Sequence, residues 1–311
     1  VISSQVEGPL VSVVIPMFQA AEWIGATLAT VEAQTYPLVE TIVVDDGSTD
    51  HGSEVVAEFA SSCERPVRLI RTTNRGVAVA RNTGITESDG EFVALLDADD
   101  LWGPRKLELQ VARLGASGAP MCTCGYEFFD DRTGRRTGVV RVEDGSSALP
   151  GWLSLEGNGL ALASAALLSR PVLNDLRLFD PEFSISADLE FALRIAEVGR
   201  LDSVPEILVR YRLHPGQMHR QVSGLKGDVE VLYDRVFAKK QNLVFERRCR
   251  ANLDAHLGFS HLLRGRVDLA LSHLWRSLCR DPRRIFTLPV RAIVRRLGRR
   301  LQLGALGRPT R

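Results

Sequence analysis

Carboxylates gather at two points of this sequence where a short apolar run ends. Asp45 and Asp46 follow the run TIVV, and Asp97 and Asp99 follow the run FVALL. Hard oxygen ligands suit Mg²⁺ or Mn²⁺, which usually keep several waters and bind one or two carboxylates together with substrate phosphates. These residue types therefore favour metal-assisted chemistry on a phosphorylated substrate.

The DADD sequence at 97–100 sets two carboxylates two positions apart. If the strand continues through it, Asp97 and Asp99 point the same way and Ala98 points away. Two carboxylates aimed at one point repel each other unless a cation lies between them. The alternative is a run of capping aspartates before a helix that begins near 104, because Asp is common at such caps. The same alternative applies to the DDGSTD run.

The first 130 residues predict the scaffold that positions these carboxylates. Apolar runs rich in β-branched residues alternate with amphipathic stretches, as do buried parallel strands and their connecting helices. This order predicts an open α/β sheet with right-handed crossovers, in which ligands bind beyond the carboxyl ends of the strands. The predicted strands are 11–17, 41–46, 67–72, 92–99 and 121–129, and the predicted helices are 22–34, 52–62, 77–86 and 104–116.

The turn after the first predicted strand reads PMFQAAEW and contains no glycine. The chain therefore lacks a GxGxxG dinucleotide fingerprint there, and it lacks a Walker A loop as well. These absences exclude the commonest nucleotide-binding motifs of parallel sheets.

Composition indicates an ordinary globular protein. The 311 residues are 45% hydrophobic and 25% charged, which argues against wholesale disorder. The five cysteines include no CxxC pair, so a reducing cytoplasm is the expected compartment. We expect no transmembrane helix and no signal peptide. Because the chain begins with Val1, a trimmed start stays open.

Charge is divided unevenly along the chain. Residues 225–311 contain 20 Lys and Arg against 7 Asp and Glu, whereas the rest contains 19 basic and 31 acidic residues. The division predicts an acidic body that could hold a metal and a basic tail attracted to polyanions.

The combination of three segments is more specific than any one motif. The stretch from VSVVIPMFQAAEW to VVDDGSTD, then NRGVAVARNTGI, then GEFVALLDADDLWGPRKLELQ strongly resembles the glycosyltransferase family 2 pattern. The resemblance covers residues 10–114 and resumes over about 150–220. It implies a GT-A fold, which is an α/β fold with a mostly parallel central sheet flanked by helices, here followed by a helical C-terminal extension.

The resemblance also implies a domain organisation and an activity. Residues 1–222 would form the catalytic domain, with a nucleotide-sugar half at 1–115 and an acceptor half at 116–222, and residues 223–311 would form a basic helical region. The implied activity is inverting transfer of a sugar from a UDP-, GDP- or dTDP-sugar to an acceptor hydroxyl, assisted by Mn²⁺ or Mg²⁺. Nucleotidyltransferases share this fold, but the glycine-rich basic loop that they normally carry after the first strand is absent here.

The family's donor-binding residues map onto the first half of the chain. The resemblance implies that Pro16 and Phe18 line the base pocket, although the family more often has Tyr-Asn where this chain has Phe18-Gln19. Asp46 would accept a hydrogen bond from the base, and Asp45 would support the turn.

The remaining donor residues follow the third and fourth predicted strands. Arg81 would lie near the donor, at the start of a helix. The alternative for Arg81 is an ion pair on the helix surface. Asp97 would face the ribose beside Ala98, and Asp99 would ligate the metal, with Asp97 as a second ligand.

The resemblance implies that a helix within 185–200 carries the catalytic base. The family's helix begins Glu-Asp, and aligning on its Leu-Arg places Asp188 at the base and Ala187 where Glu is usual. Asp188 could instead be an acidic first-turn residue that the helix dipole favours. Glu190 is the fallback base, although it also forms an i,i+4 pair with Arg194.

Downstream, YRLHPG is similar to the end of a family strand, so His214 is a candidate third metal ligand; a structural histidine before Pro215 is the alternative. Trp152, Asn158 and Ser164 fall in the segment that resembles the acceptor-facing region; the alternative for Trp152 is a place in the core.

The basic region contains a stretch at 257–284 that resembles one tetratricopeptide-like helix pair. A separate later stretch at 289–303 reads PVRAIVRRLGRRLQL, and its apolar residues share one helical face among arginines. Such a helix can lie on an anionic bilayer, or it can pack on its own domain.

The expected partners are a nucleotide-sugar donor, a glycan or lipid-linked acceptor and an anionic membrane surface, with no nucleic acid. We expect a cytoplasmic protein that is peripheral at the inner face of the membrane. Polysaccharide, glycolipid or other glycan biosynthesis is the expected role. The alternatives are polyprenyl-phosphate glycosyl transfer and a non-catalytic scaffold that binds nucleotide or glycan.

Overall fold

The computed structural model describes residues 8–142, 149–155, 162–217, 222–239 and 242–283. Its first part alternates strands and helices as predicted. The elements are β1 (Val11–Met17), α1 (Ile24–Glu32), β2 (Val39–Asp45), α2 (Gly52–Ser62), β3 (Val67–Arg71), α3 (Val77–Thr86), β4 (Phe92–Leu95), β5 (Leu101–Trp102), α4 (Lys106–Ser117), β6 (Met121–Asp130) and β7 (Arg136–Val140).

The second part is richer in helices. Its elements are α5 (Leu149–Leu153), α6 (Leu162–Ala165), β8 (Leu167–Ser169), α7 (Arg170–Asp175), α8 (Ala187–Val198), β9 (Asp202–Leu213), α9 (Val222–Lys239), α10 (Leu243–Leu263) and α11 (Val267–Arg280).

Within the described residues the strands form one sheet in the order β3-β2-β1-β4-β8-β6-β9-β5, with β7 paired to β6. The β3-β2-β1-β4 half is parallel throughout, and β6 and β9 are also parallel. The other pairings, which involve β5, β7 and β8, are antiparallel. The sheet is therefore mixed, and its parallel half brings the ends of β1, β2 and β4 to one edge.

Burial explains the apolar runs. Every residue of β1 is buried, and β2 is buried apart from Glu40, because helices cover both faces of a parallel sheet. Pro16 is tolerated inside β1 because its missing N–H breaks no ladder. The Val14 carbonyl accepts from Leu96 N, so the backbone polar groups of Val14 and of every second residue, including Pro16, point toward β4. Because β4 ends at Leu95, it offers no strand partner opposite Pro16.

The fourth strand is shorter than predicted, and this corrects the expectation that Asp97 and Asp99 lie on one side of a continuing strand. β4 ends at Leu95, and the Asp100 amide donates to the Asp97 carbonyl at 3.1 Å. The DADD run is therefore a turn. It leads into β5, which pairs with β9 on the far side of the sheet.

Two compact units are distinguished by their internal contacts. One comprises residues 1–149 and 158–217, and the other comprises 150–157 and 218–311. In the second unit the Tyr233 hydroxyl of α9 donates to the Leu153 carbonyl at 2.8 Å, and α10 and α11 form the helix pair expected from the sequence. Asn158 and the arginine-rich stretch at 289–303 lie outside the described residues. None of the described helices combines the length and the hydropathy that crossing a bilayer needs.

A buried lysine links α4 to the sheet. Lys106 is fully buried, its Nζ donates to Gln110 Oε1 at 2.8 Å, and the same nitrogen lies 3.8 Å from the centroid of the Trp102 ring. Gln110 in turn donates to the carbonyls of Cys122 and Ala165. Burial lowers the pKa of Lys106 to about 8, because a buried ammonium loses its hydration.

The stability of the protein should depend on pH through Lys106. An unfolded lysine keeps its proton up to its ordinary pKa of 10.5, whereas the folded one releases it near pH 8. Between these values the folded state gains relative to the unfolded state as pH rises. Urea unfolding at pH 7, 8, 9 and 10 should show wild type gaining on Lys106→Met by up to about 1.4 kcal/mol per pH unit above pH 8.

Buried thiols act in the opposite sense, because burial raises the pKa of Cys122 to about 12 and that of Cys124 to about 11. They are present in both proteins, so the comparison isolates the Lys106 ammonium together with its charge coupling to these thiols. Parallel pH profiles for the two proteins would show that Lys106 is not the source.

Candidate functional site

The turn after β2 is built around Asp45. Its Oδ1 accepts from the Ser48 amide at 2.8 Å, its Oδ2 accepts from the Ser53 hydroxyl, and Arg71 Nε lies 3.4 Å from Oδ2. Although burial opposes it, these hydrogen bonds lower the pKa of Asp45. The side chain is fully buried, so Asp45 shapes the turn and has no surface for a ligand.

Asp46 orders a different loop. Its Oδ1 accepts from the Arg75 amide at 2.9 Å, and its Oδ2 accepts from the Gly76 amide at 2.8 Å. Gly76 has a φ of +90°, which favours glycine. The carboxylate therefore fixes the segment that leads into α3. To accept the predicted hydrogen bond from the nucleobase, Asp46 would have to use lone pairs that these two backbone amides leave free.

Gln19 joins the turns after β1 and β2. Its side-chain Oε1 accepts from the backbone amides of Thr49 and Asp50, and its backbone N–H donates to Ser48 Oγ at 3.0 Å. The φ of Gln19 is +52°, a conformation that costs a non-glycine residue energy. These bonds stabilise it. The neighbouring Phe18 is 51% exposed, so its ring remains available to stack on a ligand, whereas Pro16 is buried in β1.

Three aspartates converge in the turn after β4. One carboxylate oxygen from each of Asp97, Asp99 and Asp100 lies within 4.8 Å of the others. The helix-capping alternative is wrong for this run, because α4 begins at Lys106, its N-cap position is Arg105, and no side chain caps it. We call Asp97, Asp99 and Asp100 the acidic turn.

Asp100 supports the acidic turn from beneath. It is fully buried; its Oδ2 accepts from Ser164 Oγ at 2.5 Å, and its Oδ1 accepts from the Arg212 amide at 2.9 Å. Burial raises the pKa of Asp100 well above its usual range, and Asp99 and Asp97 raise it further. Ser164 also accepts from the Asp97 amide at 3.1 Å. Ser164, predicted in the acceptor-facing segment, is therefore a buried support of the acidic turn.

Asp99 is partly open to solvent, with 24% of its side chain exposed. His214 Nε2 lies 2.9 Å from its Oδ2, and the imidazole packs against the Trp23 ring at a tilt of 39° with centroids 4.0 Å apart. Burial raises the pKa of Asp99, Asp97 raises it further, and His214 opposes both. The structure thus places His214 against a carboxylate of the acidic turn.

Arg81 connects the acidic turn to α8. One guanidinium nitrogen donates to Asp97 Oδ1 at 2.9 Å, and another donates to Asp188 Oδ1 at 2.5 Å. Arg81 lies in the second turn of α3 rather than at its start, and only 4% of it is exposed. It forms ion pairs, as the alternative interpretation stated, but its guanidinium is buried, and it joins Asp97 to Asp188, which is 107 positions away from Arg81 in the sequence.

Asp188 lies in the first turn of α8. Its Oδ2 accepts from the Ala163 amide at 3.2 Å, and 22% of its side chain remains exposed. Burial raises the pKa of this carboxyl and Arg81 opposes the rise. The predicted Glu190–Arg194 pair is confirmed, with nitrogen–oxygen distances of 2.7 and 2.8 Å.

The pattern of exposure separates ligand-binding from supporting carboxylates. The side chains of Asp97, Asp99 and Asp188 are 28%, 24% and 22% exposed, whereas Asp45, Asp46 and Asp100 are buried. A divalent cation fits the acidic turn, because hard oxygens gathered this closely repel one another without one. Asp97 and Asp99 are the two that could reach it.

Several contributors were not predicted. No sequence motif marks Trp23 or Gln19 as a site residue. The one sign of Asp100 is that it is the third aspartate of the DADD run. Trp152, predicted in the acceptor-facing segment, is buried in the second unit. Each of these roles depends on neighbours that are distant in sequence.

Solved structures place the fold in a known class. The mannosyltransferase PcManGT from Pyrobaculum calidifontis, solved in complex with GDP-Man and Mn²⁺, superposes with a TM-score of 0.63 over 93% of this chain and 81% of its own, at 21% identity. At that identity the likeness shows the fold alone. The fold is GT-A, the fold of nucleotide-sugar glycosyltransferases.

Sequence comparison gives the family. The profile described as Glycosyl transferase family 2 matches residues 12–173, which is more than half of the chain and includes the acidic turn. The chain therefore belongs to glycosyltransferase family 2 and is a glycosyltransferase.

Curated relatives agree with this assignment. An uncharacterized glycosyltransferase of Nostoc sp. is 29% identical over 230 residues, which is 71% of this chain and 70% of the relative. The Escherichia coli protein WfgD, a UDP-Glc:alpha-D-GlcNAc-diphosphoundecaprenol beta-1,3-glucosyltransferase, is 35% identical over 124 residues, which is 40% of this chain and 48% of WfgD.

Proposed function

We propose that this glycosyltransferase transfers a sugar from a nucleoside diphosphate sugar to an acceptor hydroxyl by single displacement, with inversion at the anomeric carbon. The observation that carries the proposal is the bridge that Arg81 makes between Asp97 and Asp188. It holds a candidate metal ligand and a candidate base on two nitrogens of one buried guanidinium. A displacement reaction needs both groups close to one sugar, because one assists the leaving group while the other activates the nucleophile.

On the donor side, Asp97 and Asp99 would hold Mn²⁺ or Mg²⁺ and Asp97 would also face the ribose. The cation, when bound, would neutralise the charge that grows on the departing diphosphate. His214 would orient Asp99 through Nε2 or contribute a further ligand. The GDP-Man and Mn²⁺ of PcManGT support this assignment.

The nucleoside would bind over the turns after β1 and β2. The exposed ring of Phe18 would stack on the base, and the buried Pro16 would form the floor of the pocket. Asp45 and Asp46 would act mainly by fixing the loops, and Ala98 would bring the backbone of the acidic turn close to the donor. Arg81 would balance the charge of the carboxylates around the sugar.

On the acceptor side, Asp188 would take the proton from the attacking hydroxyl. Burial raises the pKa of this carboxyl, which makes it a stronger base than an exposed aspartate. Glu190 is a poor alternative, because both of its oxygens bond Arg194. Ala187 is buried at the start of α8, so the contact that a family glutamate would make with the acceptor must come from elsewhere.

The acceptor proposed is a glycan or a lipid-linked sugar in glycan biosynthesis, and the activity for which WfgD is named supports this. A polyprenyl-phosphate acceptor is the nearest alternative, because the basic residues of 223–311 would suit a lipid phosphate. We assign residues 1–222 to catalysis, with donor binding by 1–115 and acceptor binding by 116–222, and residues 223–311 to a basic helical region.

A screen of nucleotide sugars tests the proposal. Thermal shift with UDP-, GDP- and dTDP-sugars in Mn²⁺ should reveal one donor class that stabilises the protein, since a ligand at a hundred times its Kd adds about 2.7 kcal/mol. Radiolabelled donor of that class should then yield nucleoside diphosphate together with a labelled acceptor product. No stabilisation by any donor, with or without Mn²⁺, would contradict the proposal.

A further inference from the structure

Helix α11 carries three large apolar side chains on its solvent side, whereas its remaining leucines are half-buried. Val267, Leu271 and Trp275 are spaced four residues apart, so they share one helical face. They are 51%, 63% and 68% exposed. We call these three residues the apolar stripe. The residues that α11 buries instead are small or polar, and they are Ala270, His273 and Ser277.

The packing of α11 on α10 does not use the apolar stripe. Asp254 of α10 accepts from His273 at 2.9 Å and from Arg280 at 2.7 Å. The Ser277 hydroxyl donates to the Ala251 carbonyl at 2.7 Å. These polar contacts attach the helix, so the stripe is surplus to the fold of this helix pair.

The surroundings of the stripe are basic. Residues 262–283 contain two acidic residues, Asp268 and Asp281, and both are at least partly exposed. The basic residues of the same segment are Arg264, Arg266, Arg276, Arg280 and Arg283. A surface that complements an apolar stripe among arginines must be apolar and anionic.

The segment after α11 does not have that chemistry. Residues 284–311 contain eight arginines and no acidic residue, so they would bring like charge onto the arginines around the stripe. Their composition demands the same anionic partner instead. Charge thus argues against the chain covering its own stripe.

We propose that the apolar stripe of α11 docks on the surface of an anionic lipid bilayer. The three apolar side chains would enter the boundary between headgroups and acyl chains, and the arginines would reach the lipid phosphates. The indole of Trp275 suits this depth, because one end of it is apolar and the other can hydrogen bond. This docking goes beyond the proposed sugar transfer and does not depend on it.

Trp275 provides a reporter in the full chain. The sequence has four tryptophans, and the other three, Trp23, Trp102 and Trp152, are buried or half-buried. Phosphatidylcholine vesicles with phosphatidylglycerol should shift its emission to the blue, and brominated acyl chains should quench it. Phosphatidylcholine alone should do neither, and salt should weaken binding as it screens the arginines.

Co-sedimentation with the same vesicles tests the stripe itself. The variant L271S/W275S should partition at least about tenfold more weakly, given the apolar area removed. The matched control is L243S/V244S, which removes exposed apolar side chains from the first turn of α10 and should bind as wild type does. Thermal melts should show all three proteins folded, because every substituted residue is exposed.

Three results would overturn the proposal. The first is undiminished vesicle binding by L271S/W275S. The second is a bound wild-type protein whose Trp275 emission is neither shifted nor quenched. The third is vesicle-free self-association that L271S/W275S abolishes, which would identify a second copy of the chain as the occupant.

Discussion

Asp99→Asn should abolish metal-dependent donor binding and turnover while leaving the fold intact. The substitution removes a charge from the acidic turn but keeps an oxygen for His214 to bond. Because Asp99 is partly exposed, the change leaves no buried gap. We expect kcat/KM to fall by roughly 10³-fold or more, since metal-assisted charge stabilisation supplies several kcal/mol. Titration of Mn²⁺ and donor, followed by steady-state kinetics, measures both losses.

Two controls accompany this variant. Asp97→Asn should weaken donor binding but lose less activity, because Asp97 shares its charge with Arg81. Asp89→Asn makes the same change at an exposed site before β4 and should behave as wild type. Near wild-type activity of Asp99→Asn would show that Asp99 is not the ligand.

Asp188→Asn should cut kcat by about 10²–10⁴-fold, the scale for a positioned general base, with donor affinity nearly unchanged. The amide still offers an oxygen to Arg81 but cannot take a proton. Because burial raises the pKa of Asp188, the wild-type kcat should fall on the acid side at a pH above the ordinary aspartate range. Asp188→Asn should lose that acid limb.

Glu190→Gln is the matched control for the base. It lies two residues away on α8 and breaks the pair with Arg194, so stability should fall while kcat and its acid limb persist. If Glu190→Gln is the damaging change and Asp188→Asn is mild, the catalytic helix has been aligned two residues out of register.

Local pattern was enough to predict most of the parallel half. The apolar runs at 11–17 and 67–72 became β1 and β3 within one residue of their predicted bounds, because burial on both faces leaves an unbroken apolar signal. The fourth strand was predicted over 92–99 but ends at Leu95. The residue pattern alone cannot distinguish a strand that continues through the DADD run from a turn. The three-residue β8 is too short to leave a periodic signal.

The site was less accessible from the sequence, because its contacts are long-range. Asp97 and Asp99 were identified from their types, but Asp100 acquires its role through Ser164 and Arg212, which are 64 and 112 positions away. Arg81 could not be distinguished from a surface ion pair until its partner in α8 was seen. The basic tail could be predicted by counting charged residues. The apolar stripe could not, because its exposure depends on which face of α11 packs on α10.

The anomeric configuration of the product from the donor screen tests the inverting mechanism most directly. Single displacement assisted by Asp188 predicts that a donor with an α-linked sugar gives a β-linked product, read from the coupling of the anomeric proton by NMR. A product that retains the α configuration would contradict the assignment of Asp188 as the base for direct attack.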